Sequence, residues 1–375
     1  MRGLYIAFEY NIEQKDIESL SDGIKKKIIM QINTFREYNH SIDFYNPYTN
    51  RNKKIHKILR RLPFFRFISW SKLPQNITYY DYIYIRKPWF MDGDLIKFLR
   101  HVKRQNNNLK ILLEIPTYPY DHEAKKLNIL PLFIKDIYWR RKLFKYVHKI
   151  ITYSNDDLIF KTKTIVVSNG IDTDRISSIK NTVFDPRQIH LIACSSFYFW
   201  HGYDRLIKGI AEYYKSKQNI QVFLHMVGAG DQQEHYNSLV KEYKIENFII
   251  FYGKVTGLEL DNIYEKADVA IDSLGRHRSK VYFNSSLKGK EYLAKGLPIV
   301  SGVITELDFD NTFKYYLRVP ANDDSIQVND IINFVNEIYS NSKKSDVIKS
   351  IRGYAVKRFD YKTTFEPIIN YLERG

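Results

Sequence analysis

Short apolar runs alternate with longer amphipathic stretches through the first half of the chain. The apolar runs have the length of strands and end at turn residues, and the stretches between them carry apolar residues at helical spacing. The predicted strands lie at 3–10, 41–46, 80–86, 109–117, the end of 145–154, and 164–172. The clearest predicted helices lie at 21–38 and 94–105. This alternation is typical of βαβ units, in which the strands form a parallel sheet.

The same alternation starts again after a break near 169–185. The predicted strands lie at 188–196, 220–230, 247–255, 268–274 and 298–303, and the helices between them at 202–217, 231–244, 260–267 and 285–296. The sequence therefore predicts an α/β protein with two doubly wound domains, 1–163 and 164–355, followed by a terminal segment, 356–375. Because open α/β sheets bind ligands at the carboxyl ends of their strands, we expect the site in a cleft between the domains.

The composition agrees with a globular chain of this size. The 375 residues are 44% hydrophobic and 27% charged, which excludes a disordered protein. The single cysteine, Cys194, excludes an internal disulfide and indicates a reducing compartment. No apolar run has the length of a signal peptide or a membrane-spanning helix, so we expect a cytoplasmic location.

The net charge of +16 indicates an anionic partner. Segment 51–72 has no acidic residue, and it combines eight basic residues with apolar residues at helical spacing and an aromatic cluster. This combination predicts contact with an anionic membrane surface, and a solvated helix beside ordinary core aromatics is the alternative. Nucleic-acid binding would rest only on basic charge and tyrosines, since no nucleic-acid motif supports it.

Two stretches of the second domain are suited to a phosphate group. "HMVGAGD" ends a predicted strand with Gly228 and Gly230, which allow the backbone to approach a ligand closely. It does not match the dinucleotide fingerprint, because position 233 is Gln, and a tight turn explains it equally well.

The second stretch is "SSLKGKEYLAKG" (285–296). Ser285 and Ser286 stand where a helix begins, and the free N–H groups and the helix dipole at that end favour an anion. Lys288 adds a positive charge, and Glu291 is placed to accept hydrogen bonds from hydroxyls such as those of a ribose. A capping box is the alternative, which this spacing fits poorly.

Acidic and aromatic residues cluster near the strand at 109–117 of the first domain. Glu114, Asp121 and Glu123 are candidates for a paired-carboxylate hydrolase or for binding acceptor hydroxyls, and Glu114 alternatively fixes the loop. Tyr118 and Tyr120 either stack against sugar faces or pack in the core. No Asp-x-Asp pair lies in a suitable loop, and His and Cys show no ligand spacing, so we expect no metal.

Several motifs occur in the order seen in GT-B glycosyltransferases. They are "VVSNGID", "HGYDRLIKGI", "VGAGD", "FYGKV", "LDNIYEKADVAIDSLG" and "SSLKGKEYLAKGLPIV". With "SDGIKKKIIMQINTF" and "LEIPTYPYDHE" in the first half, the chain resembles bacterial glycosyltransferase family 4 over nearly its whole length. The resemblance is to the enzymes of capsule and exopolysaccharide synthesis. It implies two Rossmann-like domains that face each other across a cleft, with a helix at 361–375 that crosses back to the first domain.

The resemblance also implies an activity. The chain would move a sugar, with retention of configuration, from a nucleotide sugar, usually a UDP-sugar, to an acceptor held by the first domain. In this subgroup the acceptor is often a glycan on a membrane-embedded polyprenyl diphosphate, which suits segment 51–72 and a place at the inner face of the membrane. The nucleotide sugar is a co-substrate, and no cofactor is implied.

The residues that the resemblance implies for the site fall in both domains. Those for the donor are Ser195, Ser196, His201, Gly202, Gly228, Lys254, Val255, Arg278, Ser285, Ser286, Leu287, Lys288 and Glu291. Those for the acceptor are Thr117, Tyr118, Tyr120 and Asp121. The catalytic candidates are Glu114, Asn284 and Lys288.

One departure from the family concerns its paired glutamates, which are eight positions apart. Glu291 matches the second glutamate, but Phe283 stands at the place of the first. Asn284 or Ser285 is therefore expected to contact the donor sugar instead.

A second departure concerns the Arg and Lys that bind the diphosphate in the family. Ser195 or Ser196 and His201 stand at those places, so Lys288 and the arginines of "GRHRSK" (275–280) are expected to supply the positive charge. Together the departures leave an alternative, in which the chain is a catalytically weak partner subunit of another glycosyltransferase.

Overall fold

The structure, a computed structural model, describes residues 1–8, 23–47, 62, 76–121 and 129–374. Segment 51–72, apart from Leu62, lies outside the described residues, and so does Glu123. The chain forms two compact units. The first unit comprises Met1–Val167 and Thr364–Gly375, and the second comprises Ser168–Thr363.

The first unit is built on a seven-stranded sheet in the order β2-β1-β3-β4-β5-β7-β6. Its strands are β1 (Arg2–Ile6), β2 (Ser41–Tyr45), β3 (Tyr82–Arg86), β4 (Lys110–Ile115), β5 (Lys149–Thr152), β6 (Leu158–Ile159) and β7 (Thr162–Val166). Neighbouring strands are parallel except for β6 and β7, which are antiparallel. The helices are α1 (Gly23–Glu37), α2 (Gly93–Gln105) and α3 (Leu130–Arg140). Consecutive buried residues along β1, β3 and β4 follow from a sheet that is covered on both faces.

The second unit is built on a six-stranded parallel sheet in the order β10-β9-β8-β11-β12-β13. Its strands are β8 (Gln188–Cys194), β9 (Gln221–Val227), β10 (Ile249–Gly253), β11 (Val269–Ile271), β12 (Ile299–Ser301) and β13 (Tyr316–Arg318). The helices are α4 (Tyr203–Tyr213), α5 (Gln233–Tyr243), α6 (Gly257–Tyr264), α7 (Leu287–Lys295), α8 (Val328–Ser340) and α9 (Lys344–Phe359). In this order β9 and β10 lie on one side of β8, and β11, β12 and β13 lie on the other. The carboxyl end of the sheet at such a switch point is where α/β proteins bind ligands.

The terminal helix α10 (Tyr361–Arg374) begins directly after α9 and enters the first unit at Thr364. The ring of Phe365 packs edge-on against that of Phe35 in α1, with 5.4 Å between ring centroids. The Lys110 Nζ donates to the carbonyl oxygen of Leu372 at 2.6 Å. This helix is the return to the first domain that the resemblance implies.

The prediction of two parallel α/β sheets is confirmed. The sequence pattern predicts no element between 304 and 355, where the structure has β13, α8 and most of α9. The three residues of β13 are too few to show a period, and α9 carries charged residues on much of its surface. None of the helices that the structure describes combines the length and apolar character needed to cross a membrane.

Candidate active site

The turn after β8 carries the first group of candidate donor residues. The Ser195 N–H donates to the carbonyl of Val227 at 2.9 Å, which joins this turn to the end of β9. The side chain of His201 is buried, and its ring stacks on Tyr203 with 5.6 Å between centroids. The turn therefore holds His201 at the carboxyl end of the central strand.

The protonation state of His201 follows from its contacts. Burial and the nearby charges of Lys288 and Arg276 hold its pKa well below the ordinary value. The backbone N–H of Tyr198 donates to Nδ1 of His201 at 3.2 Å. Because Nδ1 is an acceptor, the proton of the neutral ring is on Nε2. His201 is thus a neutral group at a place where the resemblance to family 4 implies a cation.

Two glycines in this region have positive φ angles and no room for a side chain. A Cβ on Gly202, at φ +64°, would lie 2.6 Å from the Gly275 nitrogen. A Cβ on Gly228, at φ +125°, would lie 1.9 Å from the Ser195 carbonyl oxygen. The backbone of Ser195 therefore occupies the space next to Gly228. This agrees with the tight turn that is the alternative explanation for "HMVGAGD".

The two serines of "SSLKGKEYLAKG" make different structural contacts. Ser286 is the N-cap of α7, as predicted, and its Oγ accepts from the Gly289 N–H at 3.2 Å. The same hydroxyl donates to Asp272 Oδ1 at 3.0 Å. Ser285 is buried, and its Oγ accepts from the Asn169 N–H at 2.9 Å. Leu287, the first residue of α7, is exposed.

Lys288 lies in the first turn of α7 among polar groups from the end of β11 and the start of α4. Its Nζ lies 3.4 Å from Asp272 Oδ1, 3.3 Å from Ser273 Oγ and 3.4 Å from the Tyr203 hydroxyl. Its side chain is 21% exposed. Burial lowers the pKa of Lys288, and the opposite charge of Asp272 counteracts this. An amine held at a helix N-terminus is suited to bind an anion.

The residues just before α7 take part in an isolated bridge to the segment that follows β12. Phe283 forms a parallel β-bridge with Ile304, and its ring stacks on Phe309 with 6.2 Å between centroids. The Asn284 N–H donates to the carbonyl of Ile304 at 2.9 Å. Asn284 itself is partly buried, so its backbone is fixed close to the N-terminus of α7.

Arg278 is engaged in two ion pairs. Its NH1 and NH2 donate to the two carboxylate oxygens of Asp204 at 2.8 and 2.9 Å, and its Nε donates to Asp323 at 2.7 Å. These acidic partners raise its pKa further, against the effect of burial. The guanidinium of Arg276 lies 5.6 Å from the ring centroid of Trp200. The positive charge of Arg278 is therefore compensated within the unit, whereas Asp272 is the single carboxylate in contact with Lys288 among the ion pairs that the structure describes.

Of the remaining donor candidates, Glu291 lies in α7 and the others follow the carboxyl ends of strands. Burial and the charge of Glu291 raise the pKa of the Cys194 thiol at the end of β8 to about 12, which places Glu291 near that strand end. Ser196 follows in the same turn and is exposed. Lys254 is exposed just beyond β10, and Val255 packs at the edge of the core.

In the first unit, Glu114 is fully buried under α1. Its carboxylate accepts from Arg86 at 2.7 Å and lies 3.2 Å from the Nζ of Lys27. The hydroxyls of Tyr84 and Tyr153 each donate to it at 3.1 Å. Burial alone would raise the pKa of Glu114, but Arg86 and Lys27 lower it to about 2. Its carboxylate is thus an ionised group with several donors, the arrangement that a structural role requires.

The candidate acceptor loop lies at the carboxyl end of β4. Tyr120 is buried, and its hydroxyl donates to Asp136 of α3 at 2.7 Å. Arg140 donates to both carboxylate oxygens of Asp121, at 2.6 and 3.0 Å. Thr117 and Tyr118 are partly buried. The structure brings these four residues into one loop tied to α3, with part of Thr117, Tyr118 and Asp121 accessible.

Several groups that shape the site were not found from the sequence. Asp272, Ser273 and Tyr203 surround Lys288, and Lys27 and Arg86 surround Glu114. A carboxylate at the predicted carboxyl end of a strand is the signal that could have identified Asp272. In the part of the chain that the structure describes, no group of three or more His, Cys, Asp or Glu residues is arranged to hold a metal ion.

Comparison with known proteins defines the class of the molecule. Residues 174–276 match the family described as glycosyl transferases group 1, and this stretch lies within the second unit. No curated protein matches the chain.

Solved structures resemble the chain over its full length. A glycosyltransferase from Rickettsia africae ESF-5 is 13% identical with a TM-score of 0.62, over 100% of this chain and 98% of that one. A sucrose-phosphate synthase from Thermosynechococcus elongatus is 12% identical with a TM-score of 0.65, over 100% and 98%. Anabaena Alr3699/HepE, in complex with UDP and glucose, is 13% identical with a TM-score of 0.61, over 100% of both chains.

At these identities the likeness shows the fold, which is GT-B. The chain thus carries a group 1 glycosyltransferase domain in the GT-B fold, and the prediction of an enzyme of the glycosyltransferase class is confirmed. Family 4 and the capsular subgroup stay predictions.

Proposed function

We propose that the chain is a retaining glycosyltransferase of family 4 that moves a sugar from a UDP-sugar to a glycan or polyprenyl-diphosphate-linked acceptor in surface polysaccharide synthesis. The observation that carries the proposal is Lys288, whose amine stands in the first turn of α7 beside Asp272, Ser273 and Tyr203, on a side chain that is partly exposed. The UDP, UDP-glucose and glucose of the HepE structures support the donor class.

The second unit supplies the groups that a departing diphosphate needs. Lys288 and the free N–H groups at the start of α7 stabilise the charge that develops on the diphosphate. The ring of His201 is neutral, so a hydrogen bond that it donates adds no charge to the site. Glu291 accepts hydrogen bonds from the ribose hydroxyls, and Asn284 contacts the donor sugar.

The first unit holds the acceptor in this proposal. Thr117, Tyr118 and Asp121 are partly exposed in a loop that α3 holds in place, and they contact the acceptor in this proposal. Segment 51–72 brings the chain to the anionic inner face of the membrane, where a lipid-linked acceptor is found.

A specific observation favours a second candidate, a GT-B subunit with little activity of its own. Phe283, at the place of the family's first glutamate, is stacked on Phe309, and the charge of Arg278, which was expected to bind the diphosphate, is compensated by Asp204 and Asp323. This candidate predicts a folded chain that supports another transferase and does not turn over a nucleotide sugar.

The test is turnover with the purified chain. UDP-sugars are supplied with a polyprenyl-diphosphate-linked glycan, and the product and the released UDP are measured. Proton NMR of the new anomeric centre shows whether configuration is retained. Product formation that Lys288→Met abolishes supports the proposal; a wild-type chain that neither transfers nor hydrolyses any donor supports the second candidate.

A further inference from the structure

A tryptophan stands exposed at the carboxyl edge of the first unit's sheet. Of the Trp, Tyr and Phe side chains that the structure describes, Trp89 is the most exposed, at 73%. It follows the end of β3 at Arg86, which pairs in register with Glu114 of β4. Because β4 leads into the candidate acceptor loop, 117–121, Trp89 and this loop follow neighbouring strand ends. Parallel α/β sheets bind their ligands at this edge.

The backbone around Trp89 is held in place. A single exposed apolar group does not by itself identify a site. Here, however, the Nζ of Lys87 donates to the carbonyl of Trp89 at 2.7 Å, and the Lys87 N–H donates to the carbonyl of Glu114 at 2.9 Å. On the other side, the Met91 N–H donates to Asp136 of α3 at 2.8 Å. The exposed ring therefore projects from a backbone that is fixed before and after it.

Two of these side chains also contact the candidate acceptor loop. The Nζ of Lys87 lies 3.9 Å from the ring centroid of Tyr120. Asp136 accepts from the Tyr120 hydroxyl at 2.7 Å. Because Lys87 and Asp136 each contact both segments, the segment of Trp89 and the loop of Tyr120 and Asp121 hold one another in place.

Asp121 supplies a polar group to the same part of the unit. Arg140 donates to both of its carboxylate oxygens, at 2.6 and 3.0 Å, and the side chain of Asp121 remains 42% exposed. A carboxylate has about four lone-pair sites, so it can accept further hydrogen bonds from hydroxyls. Arg140 is fixed in turn, since its guanidinium lies 4.7 Å from the ring centroid of Phe160.

A saccharide combines the two properties that these groups recognise. The C–H groups on one face of a pyranose form an apolar surface, which packs on the negative face of an indole ring. Its hydroxyls donate hydrogen bonds, which a carboxylate accepts. A phosphate group would meet the like charge of Asp121, and a purely apolar ligand would not use that carboxylate.

We propose that Trp89 stacks on a pyranose ring of the acceptor and that Asp121 accepts hydrogen bonds from the hydroxyls of the same sugar. The first unit then recognises the saccharide end of the acceptor, whether that saccharide is free or linked to a lipid. This inference rests on the proposed function, which places the acceptor in the first unit. It adds Trp89 to the site and assigns the chemical class that the site binds.

The experiment is a ligand-observed NMR titration of the full chain, with and without UDP, against a panel of saccharides. The panel contains the methyl β-glycosides of glucose, galactose and N-acetylglucosamine, together with cellobiose, lactose and chitobiose. Trp89→Leu keeps an apolar side chain without a π face, Trp89→Tyr keeps an aromatic face, and Asp121→Ala removes the carboxylate. The matched control is Phe144→Leu, since Phe144 is 43% exposed in the segment that leads into the amino end of β5. Thermal unfolding of each variant shows that it is folded.

The wild-type chain should bind at least one saccharide of the panel. Trp89→Leu and Asp121→Ala should each weaken that binding by about tenfold, Trp89→Tyr by less than about threefold, and Phe144→Leu should leave it unchanged. Equal binding by Trp89→Leu and the wild-type chain would overturn the proposal. So would a wild-type chain that binds UDP but no saccharide, and in that case the donor site of the proposed function would stand. Saccharide binding that Trp89→Leu loses, in a chain that does not bind UDP, would support this site and contradict the proposed function. Flotation with anionic vesicles by a chain that binds no saccharide would overturn the proposal in favour of a lipid surface.

Discussion

The carboxylate of Asp272 joins the helix cap and the lysine of the candidate donor site. Its Oδ1 accepts from the Ser286 hydroxyl at 3.0 Å and lies 3.4 Å from the Nζ of Lys288. Asp272 is buried at the end of β11, so this one carboxylate holds both the N-cap residue Ser286 and Lys288 in the first turn of α7. The position of Lys288 therefore depends on the end of β11 as well as on helix α7.

The first prediction concerns this pair. Asp272→Asn keeps the hydrogen bond to Ser286 but removes the charge that compensates Lys288, so it should destabilise the second unit by about 1–3 kcal/mol. In a chain that already carries Lys288→Met, Asp272→Asn should lower the free energy of unfolding by less. A double-mutant cycle of urea unfolding should therefore give a coupling energy of about 1–2 kcal/mol between the two positions. A coupling energy of zero would show that the two charges do not interact.

The second prediction concerns Gly228. Gly228→Ala places a methyl group 1.9 Å from the Ser195 carbonyl oxygen, and the strand ends must separate to accommodate it. We expect a loss of at least about 3 kcal/mol in the free energy of unfolding, from the strained φ angle and the clash together.

Gly253 provides the control for this substitution. It also has a positive φ angle, +70°, but no atom lies within 4 Å of its would-be Cβ. Gly253→Ala should therefore cost only the conformational strain, about 1 kcal/mol. Equal losses for the two variants would show that the close approach of Ser195 is not what requires glycine.

The third prediction separates support from catalysis at Glu114. Glu114→Gln leaves Lys27 and Arg86 buried without their shared carboxylate, so unfolding in urea should show a loss of about 3–5 kcal/mol. Asp121→Asn breaks a partly exposed ion pair with Arg140 and should cost less than about 1 kcal/mol. If Glu114→Gln kept its stability and lost only turnover, Glu114 would be a catalytic group.

The fourth prediction is a pH dependence caused by His225. Burial and the neighbouring His190 lower its pKa from 6.5 to about 4. Because the folded state disfavours the protonated ring, this contribution to stability is complete above pH 6.5 and is lost as the pH falls toward 4. Between pH 6.5 and 4.5 the loss from His225 should reach about 2–3 kcal/mol.

The measurement is urea unfolding at a series of pH values in that range. His225→Gln should flatten the slope of the free energy of unfolding against pH, while His235→Gln, at an exposed position, should leave the slope as it is. A wild-type slope that persists in His225→Gln would assign the pH dependence to other groups, of which His190 is the nearest.

Most strands of the two sheets were predictable, because strands such as β3, β4, β8 and β9 are parallel and largely buried and appear in the sequence as apolar runs between helices. The short strands β6 and β13 were not predicted. The start of α7 was predictable from Ser286 because an N-cap is a local interaction. The partners of Lys288 were not predictable, since Tyr203 lies 85 positions away in the sequence. The same holds for Arg278, because nothing in "GRHRSK" reveals that Asp204 and Asp323 neutralise it.

The central claim is that Lys288 and the N-terminus of α7 bind the diphosphate of a nucleotide sugar. The most direct measurement is the affinity of the purified chain for UDP, by calorimetry, with Lys288→Met and with Lys241→Met, an exposed lysine on α5, as the matched control. The loss of one charge-assisted contact should weaken binding by about 10–100-fold in Lys288→Met, and Lys241→Met should bind as the wild-type chain does. Equal affinity in all three chains, or no binding of UDP by the wild-type chain, would contradict the account.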